Sequence, residues 1–446
     1  MQTLFFGLIV AVMTVGYVAL TFHLPGVVKI APEAIAILFV PYILAIGSRE
    51  RFHFVQPKYW LVLLVLLFDI VAGLIINDVE VGPTMAGLRM YLRILPIFIL
   101  PAVWHLEDGQ LKRQLQLLLL FSLLQIPLSA IQRWTVWQQQ RFSGDQVVGT
   151  LTESGVLSIF LVCVVVVLLG LVMRKVISKK AFTVLFFLLL IPTTINETKA
   201  TVLLLPLGLF AVLLMGSRRG KRLPILAGAL ALLVCFGAIF IPVYNLMQTN
   251  NPYKKDITTF FTDKKQLETY LEAKKAGVGT TAQVGRVDAL RIPVEYLASD
   301  PVRLTFGLGV GNSSQSSLGT LFSGKYATLF TKITITGFST FMLEMGLLGT
   351  ALVFLLYWMI FRDSIYVARH DTGLRGALAV GWTGVIPIMA ASTFYTNVQV
   401  FESLAFLFWF FSGVICARRA ELAMGEVRAP AETDTSVQLP RTPLHV

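Results

Sequence analysis

Charge is scarce in this chain. Asp, Glu, Lys and Arg make up 14% of its 446 residues, hydrophobic residues make up 56%, and the mean hydropathy is +0.74. That composition excludes the water-facing surface of two or three soluble domains, the usual outcome at this length, and points to the bilayer as solvent. Cysteine is scarcer still. The three, Cys163, Cys235 and Cys416, all fall in apolar runs, which excludes a disulfide framework, a zinc cluster and redox chemistry. Acidic residues are also outnumbered, 25 against 37 basic ones, for a net charge of +12. In a soluble protein that surplus would suggest nucleic acid. In a membrane protein its placement decides its meaning, and no nucleic-acid partner is expected.

A helix needs about 20 mostly apolar residues to cross about 30 Å of hydrocarbon without leaving amides unpaired. About twelve runs meet that measure: 3–22, 30–47, 58–77, 86–104, 113–131, 154–173, 181–197, 199–216, 223–245, 337–361, 375–395 and 400–417. The first has no basic residue ahead of it and no small-residue cleavage site, so it reads as an uncleaved span. Basic clusters follow every second run: Arg49 with Arg51, Lys112 with Arg113, Arg174 with Lys175, Arg218 with Arg219, Arg362 with Arg369, and Arg418 with Arg419. Lys and Arg mark the cytoplasmic side, which places both termini there.

Four regions result: spans one to nine in 1–243, a large outward loop in 244–336, spans ten to twelve in 337–417, and a tail in 418–446. The tail is Pro-, Thr- and Glu-bearing, non-periodic and expected to be disordered. Loops as long as the outward one are usually functional or separately folded; 263–276 and 286–298 read as surface helices within it. No internal repeat is visible, and the loop after span nine does not divide the chain into equal halves.

Polar residues in the outward loops are clustered. Arg141 to Gly155, with Asp145, Gly149-Thr150 and Glu153, leads into span six, and the bend between spans seven and eight is Asn196-Glu197-Thr198-Lys199. The long loop holds Gly285-Arg286, Asp288, Arg291, Pro301 and Gly307-x-Gly309-x-Gly311-Asn312; span ten opens with Glu344-x-Gly346-x-x-Gly349. The three loop glycines follow no strand, so they read as a tight turn, not a dinucleotide fingerprint. Glu344 reads as an anchor where span ten begins, and Gly346 and Gly349 as small residues for close helix packing. Trp134 and Trp137 read as an interfacial belt. Within spans three and four, Asp69 and Arg93 lie about 12 and 10 Å below the outer ends at about 1.5 Å per residue. They read as a buried charge pair tying two helices, with Arg89 on the same face as Arg93.

The order of these motifs resembles the O-antigen ligase and polymerase-like membrane proteins of bacterial surface-polysaccharide assembly. Members typically show an Arg and a Gly-Thr turn before a middle span and a short Ser-Arg-type bend. A large periplasmic loop with Gly-Arg and a Pro-x-x-x-x-Phe-Gly-x-Gly-type segment follows, then a span opening with Glu-x-Gly-x-x-Gly. The matching stretches are Arg141 to Gly155, Asn196 to Lys199, Gly285 to Asn312 and Glu344 to Gly349. Two positions depart from the pattern. Lys199 stands where Arg is commoner, keeping the charge but losing bidentate phosphate geometry. Ile335-Thr336-Gly337 stands where ligase-type members place a His.

The resemblance implies an all-α, GT-C-like glycosyltransferase of the bacterial inner membrane with a periplasmic active site. It would polymerise polyprenyl-pyrophosphate-linked repeats onto a glycan acceptor; the missing His favours this over ligase-type transfer to another acceptor. Polysaccharide assembly proteins are the further partners it suggests. Because pyrophosphate leaves readily, such a site chiefly stabilises its charge and positions the acceptor. Arg286 is the leading catalytic cation, with Arg141, Lys199, Arg291 and Arg89 as further pyrophosphate ligands. Glu153 and Glu197 are candidate bases for the acceptor hydroxyl, beside Asp145, Asp288 and Glu344. The outward loops have no Asp-x-Asp pair and no glycine-rich cradle after a strand, so no metal and no other cofactor is expected. The rival from another class is a twelve-helix flippase or transporter, and a non-catalytic scaffold is a third reading.

Overall fold

The computed structural model describes residues 1–49, 56–138, 144–216, 222–247, 284–316 and 319–428, together with Ile257, 262–264 and Glu268. Among them the regular elements are helical throughout. In chain order these are α1 (Gln2–Thr21), α2 (Ala31–Ile37), α3 (Phe39–Arg49), α4 (Pro57–Ile76), α5 (Val81–Leu92), α6 (Leu95–Trp104), α7 (Asp108–Gln138), α8 (Ser154–Met173) and α9 (Lys179–Ile195). There follow α10 (Ala200–Gly216), α11 (Arg222–Met247), α12 (Arg286–Leu297), α13 (Pro301–Phe306), α14 (Ala327–Phe330), α15 (Gly337–His370), α16 (Leu374–Ser392) and α17 (Glu402–Arg428).

Among the described residues, 10 helical stretches are long and apolar enough to cross a membrane, and the chain is a multi-pass membrane protein. The sequence predicts about twelve. The difference lies in α9 and α10, which have 17 residues each and so rise only about 25 Å. They form a hairpin closed by the bend at 196–199. The tail also departs from expectation, since α17 continues to Arg428 through the first part of the segment expected to be disordered. Residues 429–446 and most of the expected helix at 263–276 lie outside the described residues.

Two spans are split where proline dictates it. Pro41 offers no amide to the carbonyl four residues back, and the helix breaks between α2 and α3; Pro96 does the same between α5 and α6. Tight reversals follow α1, α4, α6, α8 and α9, where His23, Asp78, His105, Lys175 and Glu197 adopt φ between 47° and 60°. That left-handed conformation ends a helix by satisfying its last carbonyls.

The centre of the bundle is α8, α10 and α16. Gly170 of α8 meets Gly381 and Ala377 of α16, and Gly384 of α16 meets the Gly208 carbonyl of α10. Small residues let these backbones approach, which is how helices gain packing energy where no hydrophobic drive separates protein from lipid. At the end away from the long loop, ion pairs tie helices together: Lys58 to Asp363 at 2.6 Å, Arg375 to Asp108 at 3.1 Å, and Arg418 to Asp371 at 2.6 Å. The described part of the long loop has its own small core, in which Ala289, Ile292 and Leu297 of α12 and Phe330 of α14 pack on Met342 and Leu343 of α15.

The long loop also re-enters the bundle. Its segment 305–311 passes between α4, α5 and α15, where Gly73, Gly87 and Gly346 leave a slot; a Cβ on any of them would meet the segment's backbone. The Leu308 amide donates to the Leu343 carbonyl at 2.7 Å, and the Asn77 side chain donates to the Gly307 carbonyl at 3.1 Å. Gly346, with φ 62° and ψ −160°, interrupts α15 at this point, about 14 Å below its start at the helical rise. Its role is therefore a break that admits the loop, where the sequence suggested helix packing. Irregular backbone at this depth is tolerated because protein surrounds it.

Candidate functional site

The segment before α8 is set by two glutamines of α7. Gln132 accepts from the amides of Val148 (2.9 Å) and Gly149 (2.7 Å), and its own amide donates to the Gly149 carbonyl at 2.7 Å. Gln125 accepts from the Thr150 amide at 2.8 Å and donates to the Thr150 hydroxyl at 2.9 Å. Gly149 has φ 62°, and a side chain there would strike the side-chain oxygen Oε1 of Gln125. The Gly-Thr turn is thus a clamped reversal that delivers Glu153 to the start of α8.

Glu153 makes no capping bond to α8. Burial raises its carboxyl above the ordinary value, and the nearby Arg286 charge works in the opposite sense. Arg286 is the first residue of α12, and its guanidinium lies 5.0 Å from the ring centroid of Tyr395. The Tyr395 ring in turn lies against Gly155. Two of the three residues expected to be catalytic, far apart in sequence, therefore lie near one tyrosine the sequence reading did not single out.

The third, Glu197, is close by in the fold. Asn196 donates to the Ser154 carbonyl at 2.9 Å and to the Ser158 hydroxyl at 2.9 Å, holding the 196–199 bend against the start of α8. Glu197 is paired with the buried Arg133 of α7 at 2.6 Å, and Lys199 is half-buried in the same bend. Asp145 is exposed on the 3-10 turn Gly144–Gln146, whose Gly144 lies against Asn196. Arg141 lies outside the described residues. Arg291 points elsewhere, bound to Asp288 at 2.9 Å and facing Glu295 at 3.7 Å.

Beside this cluster a polar cavity of about 520 Å³ opens on the long-loop side. Thr152, the residue before Glu153, lines it, as do Lys29, Glu33, Arg89, Arg93 and Glu402. Arg89 grips Glu33 through two nitrogens, the Nη2 contact measuring 3.0 Å. Arg93 reaches Glu33 at 2.6 Å and Glu402 at 3.2 Å, and donates to the carbonyls of Gln399 (2.8 Å) and Val400 (2.9 Å). The expected Asp69–Arg93 pair is therefore corrected: Arg93 turns toward α2 and α17. Asp69 is fully buried against Gly349 of α15, with no hydrogen-bond partner among the described residues.

The cavity's loop wall is anchored by Glu344, which is buried. It accepts from the Tyr91 hydroxyl at 2.8 Å and the Ser314 hydroxyl at 2.6 Å, and Ser314, Gln315 and Ser316 line the cavity. Glu344 thus fastens the re-entrant loop to the broken helix. Glu33 and Glu402 escaped the sequence reading, although both lie in apolar runs, where the rule that flagged Asp69 and Arg93 applies equally.

No protein-family model matches this chain, and none of the curated proteins matches it.

Proposed function

We propose that the protein is a membrane glycosyltransferase that extends a glycan using a polyprenyl-pyrophosphate-linked donor, on the face bearing the long loop, the periplasmic face of a bacterial inner membrane. The observation that carries this is that the Arg286 guanidinium and the start of α8, which follows Glu153, both lie against Tyr395, beside a cavity lined by three cations and two carboxylates. An arginine at a helix N-terminus is placed against the helix dipole, and both favour an incoming anion. The acceptor hydroxyl attacks the anomeric carbon as the bond to pyrophosphate breaks. Glu153 takes the hydroxyl proton, and Arg286 stabilises the charge left on pyrophosphate. The two roles are linked: once pyrophosphate engages Arg286, its charge no longer favours the ionised form of Glu153, which becomes the stronger base.

The expected outcome for Arg286→Ala is loss of polymer at normal expression, with Arg286→Lys partly active; the measurement is glycan length in membranes supplied with lipid-linked repeat. Unchanged yield and length in Arg286→Ala overturn the assignment.

A second reading, a flippase for the same lipid, is favoured by the break at Gly346 beside the buried Asp69. Discontinuous helices with a buried polar group deep in the membrane characterise transporters. Movement of the lipid between leaflets without a new glycosidic bond would select it.

A further inference from the structure

We infer that the 3-10 turn Thr320–Phe322 of the long loop is a bilayer anchor. Leu321 enters the hydrocarbon edge of the leaflet on the long-loop side and moors the loop wall of the polar cavity to it. The partner is lipid, and the inference rests on the multi-pass membrane fold, independent of the reaction proposed above. Leu321 is 83% exposed, more than any other large hydrophobic residue among the described ones. A leucine so exposed on a water-facing surface would need no explanation. Leu321 stands elsewhere. Its turn leans on the first turn of α5, where Gly82 leaves room for it: a Cβ on Gly82 would strike the Leu321 carbonyl. Val81, the residue before, is 75% exposed, and Met85, on the same face at i, i+4, is 60% exposed. Both belong to Val81–Trp104, a stretch long and apolar enough to cross the membrane, so their exposed face is turned to lipid.

Water begins just before that face, at the exposed Asp78 and Glu80 of the α4–α5 turn. Gly82 lies about 3 Å of helical rise past Glu80. Leu321 therefore continues the lipid-facing surface at the boundary of headgroups and acyl chains, the depth at which the apolar faces of interfacial segments settle. The turn is built to hold that position. The Phe322 amide donates to the Gly319 carbonyl and the Ser323 amide to the Thr320 carbonyl, both at 3.1 Å, and the Ser316 amide donates to the Ser323 hydroxyl at 3.1 Å. At its base the Gly324 amide donates to the Ser314 carbonyl at 3.2 Å, and the Tyr326 amide to the Asn312 carbonyl at 2.9 Å. These bonds join the tip to Ser314 and Ser316, which line the polar cavity, and Phe322, next to Leu321, lines it too. Lipid on one side of the turn thus sets the height of the cavity wall on the other and keeps the cavity mouth at headgroup level.

The test places a nitroxide on Leu321→Cys in full-length protein in liposomes, with the native Cys163, Cys235 and Cys416 replaced by alanine. Val81→Cys is the lipid-facing reference and Ser299→Cys the aqueous one. The spin-relaxation effect of oxygen, which concentrates in lipid, is compared with that of a water-soluble nickel chelate. A ratio of oxygen to nickel effect at Leu321 nearer to that at Val81 is expected; a ratio nearer to that at Ser299 overturns the inference. Should the cysteine-free protein fold poorly, wild type is labelled instead by a phospholipid with a photoreactive group on its acyl chain. Adducts on 319–323 at a yield nearer to that on Val81 and Met85 than to that on 296–300 support the anchor, and the reverse overturns it.

Leu321→Asp reads the mooring itself. A side chain this exposed has little protein contact to lose, so in water its replacement would be nearly silent. In lipid, the substitution should release the cavity wall and speed hydrogen exchange at 314–316 and 322–326 about tenfold, while Leu321→Met leaves exchange unchanged. Unchanged exchange in Leu321→Asp overturns the mooring.

Discussion

Glu153 sits where two influences on its proton affinity oppose each other, burial raising it and Arg286 lowering it, with a net rise. A carboxyl raised in the folded state binds its proton more tightly there than in the unfolded chain. Its contribution to stability is therefore present at low pH and lost as pH rises through the folded-state value. Glu153→Gln should remove that dependence. As pH falls from neutrality toward the ordinary carboxyl range, the melting temperature of wild type should gain relative to the variant; a difference that is flat or of opposite sign contradicts this. Arg286→Ala, by removing the lowering influence, should move the change to higher pH. At this scale the sequence disclosed Glu153 and Arg286 as separate members of ordered motifs, but not their approach beside Tyr395, which depends on a 153-to-286 chain path that no local pattern encodes. For Asp69 and Arg93 the axial rise gave depth and not direction around the helix. Equal depth therefore suggested a pair, while Arg93 faces Glu33 and Glu402.

The break in α15 belongs to the scale of elements. Gly346 combines positive φ with a position where an added Cβ would strike the Thr305 carbonyl and the Gly307 amide of the re-entrant segment. Gly346→Ala should cost about 1–3 kcal/mol in backbone strain alone, more with the steric conflict. Hydrogen exchange should show residues 305–314 opening before the rest of the bundle; unchanged protection there would contradict the role given to this glycine. Glu344→Ala should loosen the same segment, since it removes the acceptor for Tyr91 and Ser314. The spacing Glu344-x-Gly346-x-x-Gly349 was legible, yet it suits a packed helix as well as a broken one, and only the inserted loop decides between them. The breaks before Pro41 and Pro96 follow from a local rule and were open to reading in the sequence.

For the whole molecule, apolar run length was sufficient to read a multi-pass, all-helical membrane protein, and it differs from the ten long helices only at the α9–α10 hairpin, whose helices have 17 residues each. The alternation of basic clusters supports the proposal that the long loop lies on the side away from both termini. Ser299→Cys should react with a membrane-impermeant maleimide in intact cells, and Arg369→Cys only after permeabilisation; the reverse pattern contradicts the assigned orientation. The claim of enzymatic function is tested most directly with purified protein in liposomes lacking any ion gradient, supplied with a polyprenyl-pyrophosphate-linked oligosaccharide. The account predicts new glycosidic bonds, with one polyprenyl pyrophosphate released for each bond formed, and loss of both in Arg286→Ala. Donor that changes leaflet while its glycan stays the same length would contradict it.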